Sequence, residues 1–208
     1  EKERNANDAI DVCQYSKEEI IRITEVAVEL ASSRNNKITS VDKANVMATS
    51  QLWRSVVSEL METQYADIEL EHILVDAATM HLLSRPSDFD VILADNLFGD
   101  ILTDEASMLT GSIGMIPSAS LGNDRFGVYE PIHGSAPDIQ NQGIANPCGM
   151  ILSLALMLRH SLKLSKEASA IEAAVNETLN QAVFTADLSN TNVVDTVTMG
   201  SAIVANIS

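Results

Sequence analysis

Residues 90–105 read Asp90-Val91-Ile92-Leu93-Ala94-Asp95-Asn96-Leu97-Phe98-Gly99-Asp100-Ile101-Leu102-Thr103-Asp104-Glu105. The apolar run from Phe89 to Ala94 has the length and composition of a buried strand, and a polar turn then leads it into a helix. Residues four apart stack on one helical face, so Asp100 and Asp104 project together. Carboxylates just past the carboxyl end of a strand lie where α/β proteins hold ligands. Two hard oxygen donors with room for waters suit Mg²⁺ or Mn²⁺. Acidic residues in a first helical turn also simply favour the helix macrodipole, and spacing alone prefers that plainer account.

Upstream, residues 1–14 are polar and without a clear period. Ser16-Lys17-Glu18-Glu19 forms a capping box, followed by Ile20, Ile23, Ala27 and Leu30 at helical spacing. That helix ends near Arg34-Asn35-Asn36. A short strand runs from Lys37 to Val41, a turn from Asp42 to Asn45, and a second helix has Leu52, Val56, Val57, Leu60 and Met61 as its apolar stripe. Trp53 sits beside that stripe, so packing is its default role. Residues 68–75 alternate as a strand, Asp76 can cap a short helix, and Arg85-Pro86 stops it. The order αβαβαβα predicts an α/β fold.

Downstream, Gly111 to Asn146 is rich in Gly, Pro, Ser and Asn, with one strand near 126–130. A connection that long inside a compact protein is usually a binding loop. Asn146-Pro147 restarts the helices, Asn as N-cap and Pro at the first helical position. Helices are predicted at 147–163, at 166–183 and at 197–206.

The 208 residues, 46% of them hydrophobic, suffice for one large domain or two small ones with an ample core. A formal net charge of −16 without any Lys/Arg run argues against nucleic acid as a partner. Cys13 and Cys148 stand far apart without CxxC spacing, which predicts a reduced intracellular protein with neither zinc site nor disulfide framework. The apolar stretch 150–158 is too short to span a membrane. The chain opens on Glu1-Lys2-Glu3-Arg4, with neither an initiator methionine nor a signal peptide, as a piece of something longer would.

Several longer motifs carry a resemblance. Ser40-Val41-Asp42-Lys43-Ala44-Asn45-Val46, Asn96 to Asp104, Leu109 to Ala119, Glu130-Pro131-Ile132-His133-Gly134-Ser135-Ala136-Pro137-Asp138 and Gly143-Ile144-Ala145-Asn146-Pro147 stand in order, and at similar spacings, as in the β-decarboxylating dehydrogenases of isocitrate and isopropylmalate. The resemblance runs from about residue 10 to the end and reverses the preference at Asp100 and Asp104. It implies an α/β, two-domain isopropylmalate-dehydrogenase-like fold, incomplete at the amino end. Residues 1–110 would be most of a smaller dimerisation and metal-site domain, and 111–208 the carboxyl-terminal half of the cofactor domain. The implied activity is NAD-dependent oxidative decarboxylation of a 2-hydroxy dicarboxylic acid. The match favours 3-isopropylmalate, in leucine biosynthesis, over isocitrate, homoisocitrate or tartrate. The implied setting is a cytoplasmic homodimer with shared active sites. An inactive fragment serving only as a dimerisation module is the alternative, because the substrate-clamping arginines and the catalytic tyrosine would precede Glu1.

The same resemblance assigns roles. Lys43 is the general base for the substrate hydroxyl, and Asn45 lies by the nicotinamide amide. Asp100 and Asp104 supply oxygens to Mg²⁺ or Mn²⁺, completed by Asp76 of the partner subunit. There is no GxGxxG, so the pyrophosphate loop of a Rossmann fold is absent. The NAD site is instead the loop 133–146. His133 meets the adenine, and Gly134, Ser135 and Ala136 allow close backbone approach. Asp138 accepts from the adenosine ribose and disfavours a 2′-phosphate, and Asn146 bonds the adenine edge. Glu130 opens the motif and goes with the cofactor. Tyr15, His72, His81 and His160 match no catalytic position. The tail, Asn190 to Asp195, departs from the Gly-Thr pair usual in relatives.

Overall fold

The computed structural model describes residues 2–122 and 124–207; Glu1, Asn123 and Ser208 lie outside the described residues. The chain divides into two compact units, Glu1–Glu105 and Ala106–Ser208.

The first unit begins with a feature that composition did not announce. β1 (Lys2–Arg4) and β2 (Ala9–Asp11) pair as an antiparallel hairpin with every residue exposed. Its turn is made by Asn5, whose Oδ1 accepts from the amides of Asn7 and Asp8 at 2.8 Å. Three-residue strands with no buried face offer no alternation to read.

α1 (Lys17–Ser32) starts at the predicted capping box. Ser16 Oγ accepts from Glu19 N at 3.2 Å, and Glu19 Oε2 accepts from Ser16 N at 2.8 Å. Its buried face is Ile20, Thr24, Ala27, Val28 and Ala31, whereas the predicted Ile23 is 40% exposed. Asn36, with φ of 57°, turns the chain into β3 (Lys37–Asp42). Then follow α2 (Ala48–Gln64), β4 (Glu69–Leu74), α3 (Val75–Ser84), β5 (Val91–Ala94) and α4 (Asn96–Ser107). β3 is the central strand of a parallel sheet ordered β4-β3-β5, with Ile38 opposite Leu70 on one side and Val91 on the other. Parallel strands joined through helices are buried by them, and the core collects Ile20, Ala31, Ile38, Val57 and Leu93 from four elements.

Two further details differ from the expectation. On α2 the buried stripe includes Trp53, 3% exposed, while Leu52 faces outward. The indole explains the shift: Nε1 donates to Ser40 Oγ at 3.3 Å, and the Tyr15 ring meets it edge-on at 5.7 Å. On α3 the helix begins before Asp76, with Leu74 at the cap position and no side-chain cap bond. Asp76 does not cap because its carboxylate is held by Lys43.

In the second unit the predicted strand near 126–130 is β7 (Gly127–Pro131), and it pairs antiparallel with β6 (Pro117–Leu121), which lies within the stretch predicted as loop. Pro117-Ser118-Ala119-Ser120 has no strand propensity of its own; the partner strand decides it. α5 (Cys148–His160) packs on both strands and on α6 (Ser165–Asn180), and α7 (Thr196–Ala205) closes the unit against α6. Cys148, Ala174, Val175, Met199 and Ile203 form its core. α5 and α6 each end three residues before the predicted limit. Lys163 and Ala182 both adopt φ of 57°, a left-handed conformation that a helix cannot continue through. Among the described residues no helix is long and apolar enough to cross a membrane.

Candidate functional site

The turn after β3 is built around a buried carboxylate. Asp42 Oδ1 accepts from Ala44 N at 2.8 Å, which closes an Asx-turn over Lys43. Arg54 grips the same carboxylate with Nε to Oδ2 at 2.8 Å and an η-nitrogen to Oδ1 at 3.0 Å. Lys43 therefore leaves a rigid turn, and its Nζ donates to Asp76 Oδ1 at 2.5 Å. That hydrogen bond, ahead of a contribution from the backbone, holds Asp76 below the usual carboxylate range. Asn45 is exposed on the turn. Behind it, His72 Nε2 lies 2.9 Å from Ser58 Oγ, while Nδ1 is buried without a hydrogen-bond partner among the described residues. Burial, with the nearby Arg54 charge, pushes His72 below its ordinary value against the pull of Asp42.

Asp100 and Asp104 stand one helical turn apart on α4 and are both exposed, while Phe98 and Leu102 face inward. The helix start is fixed twice: Asp95 Oδ1 accepts from Phe98 N at 2.9 Å, and Tyr15 Oη accepts from Asn96 N at 3.0 Å. Among the described residues no group of three ligating side chains converges. Asp100 and Asp104 thus place two carboxylates on α4, while Asp76, on α3, is bonded to Lys43. The donor chemistry fits a divalent cation whose set is completed from elsewhere.

The second unit carries an open cavity of about 770 Å³ lined by Ser112 to Gly114, by His133 to Ala136, by most of 139–146, and by Ala186 and Asp187. Its size and largely apolar wall suit a nucleotide-sized ligand. His133 Nδ1 donates to Gly134 O at 2.9 Å, which leaves Nε2 as an acceptor in the neutral ring. Ala136 has φ of 42°, an uncommon conformation for a residue with a Cβ and a sign of a loop held in place by its surroundings. Asn146 is buried: its Oδ1 accepts at 2.9 Å from the amide of Cys148, the first residue of α5, although Pro147 and not Asn146 takes the N-cap position, and its Nδ2 donates to Asp187 Oδ2 at 3.0 Å.

Of the sequence-selected cofactor residues, the structure brings His133, Gly134, Ser135, Ala136 and Asn146 to this cavity. Asp138 is exposed beside the lining residue Ile139, and Glu130 is exposed on β7; neither lines the wall. Asn45 belongs to the other unit. Ser112, Gly114 and Asp187 were not singled out from the sequence. Thr185-Ala186-Asp187 has no motif, and only an acid within a polar loop could have drawn attention.

Comparison with known proteins adds four findings. The isocitrate/isopropylmalate dehydrogenase family model matches residues 1–203. The chain is 52% identical over 204 residues to 3-isopropylmalate dehydrogenase of Heyndrickxia coagulans, covering 97% of this chain and 56% of that protein. Against the 3-isopropylmalate dehydrogenase of Oceanobacillus iheyensis it is 58% identical over 186 residues, covering 89% and 50%. The crystal structure of isocitrate dehydrogenase from Methylococcus capsulatus superposes with a TM-score of 0.91 at 37% identity, over 97% of this chain and 59% of that one. The chain spans about half the length of the curated relatives it matches.

Proposed function

Because the chain belongs to the isocitrate/isopropylmalate dehydrogenase family, we propose that the whole protein oxidises and decarboxylates 3-isopropylmalate with NAD as hydride acceptor. The observation that carries this reading is identity: 52% and 58% to relatives named for that substrate, against 37% to the isocitrate dehydrogenase structure.

Lys43 is the base in this reading. With Asp76 bonded to its Nζ and Asp42 locking its turn, the amine is aimed before substrate arrives, and it accepts the proton of the C2 hydroxyl as hydride leaves that carbon. Loss of the β-carboxylate as CO₂ then leaves an enol that tautomerises to the 2-keto acid. Asp100 and Asp104 would hold Mg²⁺ or Mn²⁺ together with Asp76 of the partner subunit. When bound, the cation supplies Lewis-acid polarisation of the oxygen that becomes a carbonyl. The shared site implies a homodimer. Support for a second copy comes from apolar side chains left exposed on α3 and α4, Met80 and Leu83 on one, Leu97 and Ile101 on the other.

The cavity of the second unit would take the adenosine end of NAD, with Asp138 turned to the ribose and His133 to the adenine. Since both polar ends of the Asn146 side chain are already engaged, the adenine edge would be met by main-chain groups at that position. Residues 1–110 would then be the metal and dimer domain and 111–208 part of the cofactor domain. The test is turnover by the full-length protein: NADH and CO₂ formed from 3-isopropylmalate in the presence of Mg²⁺ support the proposal. Turnover of isocitrate with none of isopropylmalate would sink the substrate assignment and leave the chemistry.

A further inference from the structure

The side chain that organises the cavity wall is one the functional reading has not used. Asp187 lies where three separate segments meet, 112–114, the loop ending at Asn146, and 185–187. Its Oδ2 accepts from Asn146 Nδ2 at 3.0 Å. Ser112 Oγ accepts from Gly114 N at 3.0 Å, which leaves the hydroxyl proton for Asp187. Burial alone would raise this carboxyl, but the hydrogen bond from Asn146 and the polar Ser112 and Thr185 side chains beside it outweigh that and hold Asp187 below the usual range. Gly114 completes the arrangement. A Cβ there would stand 2.8 Å from Asn146 Cβ and 3.3 Å from Asp187 Oδ2, so only glycine lets the three segments close up.

A primary amide fits its site in two orientations, and the partners decide between them. Asp187 accepts only, so it demands the NH₂ end of Asn146 and turns Oδ1 onto Cys148 N, at the first residue of α5. We propose that Asp187 is a positioning residue for the cofactor loop. It fixes the amide of Asn146 and thereby the main chain at Ala145-Asn146 that faces the cavity. The role is specific to nucleotide binding and does not touch the metal or the reacting atoms. It rests on the NAD reading of the cavity.

The experiment compares the full-length protein with its Asp187→Ala and Asp187→Asn variants. Three quantities are read: NAD affinity by calorimetry, Mn²⁺ affinity, and the side-chain ¹⁵NH₂ resonance of Asn146 without ligand. Losing a hydrogen bond to a charged group predicts that Asp187→Ala weakens NAD about tenfold or more, as KM for NAD and not as kcat. Mn²⁺ affinity stays unchanged. Asp187→Asn keeps an acceptor oxygen and recovers part of the loss, and the Asn146 resonance moves in both variants before any cofactor is added. Should the alanine variant not fold, the resonance shift in Asp187→Asn decides the anchoring by itself. Unchanged NAD affinity in Asp187→Ala, or parallel loss of NAD and Mn²⁺ binding, overturns the inference. An Asn146 shift with no NAD binding in the parent protein would instead overturn the cofactor reading and leave the anchor standing.

Discussion

Asp42 and Arg54 form a two-pronged ion pair, 2.8 and 3.0 Å, in which the carboxylate is 1% exposed and the guanidinium side chain 37%. The parallel N–H donors of arginine match carboxylate geometry in a way lysine does not. Arg54→Met strands the Asp42 charge. The expected cost is about 2–3 kcal/mol, below the ~3–5 of a fully enclosed pair because water reaches part of the arginine. Urea unfolding measures it. Because the same carboxylate closes the turn over Lys43, kcat of the full-length enzyme should fall while KM for NAD holds.

His72 sets a pH dependence. Its folded value lies below the ordinary 6.5, so between the two values the unfolded chain binds more protons. Its contribution is complete above pH 6.5 and declines as pH falls through the window beneath it. His72→Gln, which keeps a group for Ser58, should lose less stability than the parent between pH 7.5 and 5.5, read as the shift in urea midpoint. Equal losses in both proteins would remove His72 from the account.

Asp100→Asn and Asp104→Asn each remove charge from the exposed face of α4 without touching Phe98 or Leu102. Mn²⁺ affinity of the full-length protein should drop at least about tenfold in each, with the melting temperature of the cation-free Asp100→Asn variant unmoved.

Gly149 sits in the first turn of α5, where an added Cβ would lie 2.9 Å from Gly114 O and 3.2 Å from Ile116 O. Both neighbours are backbone and yield little. Gly149→Ala is expected to cost about 1–3 kcal/mol through forced separation of α5 from the strands beneath it. Gly200→Ala, with nothing within 4 Å, serves as the control.

The cysteines should differ in reactivity. Cys13 is exposed, whereas burial, with Asp187 nearby, pushes the Cys148 thiol up to about 11. Iodoacetamide at pH 8 should label Cys13 alone in the native protein and both after denaturation, as peptide mass mapping would show.

The capping box at Ser16 and the parallel strands around β3 were legible because each rests on local chemistry or a strong period. β6 was not, since its residues become a strand only through β7. Trp53 was assigned to packing, yet its inward turn at the expense of Leu52 depended on Ser40, distant in sequence. The pattern repeats at the site. Lys43, Asp100 and the 133–146 loop carry motifs, whereas Asp187 acquires meaning only once Ser112 and Asn146 have been brought to it. Asp76 shows the reverse case: position alone suggested a cap, and a nearby cation claimed the side chain first.

The central strand β3 precedes both of its neighbours in the chain, and neither is joined to it by a hairpin. During synthesis Ile38, Trp53 and Val57 are therefore made before Leu93, the residue of β5 that completes their cluster, exists. Pairings that wait on crossovers are slow to form and expose apolar surface meanwhile. A nascent chain paused before residue 93 leaves that cluster open on the β5 side, and the three-stranded sheet closes only when its last strand has emerged.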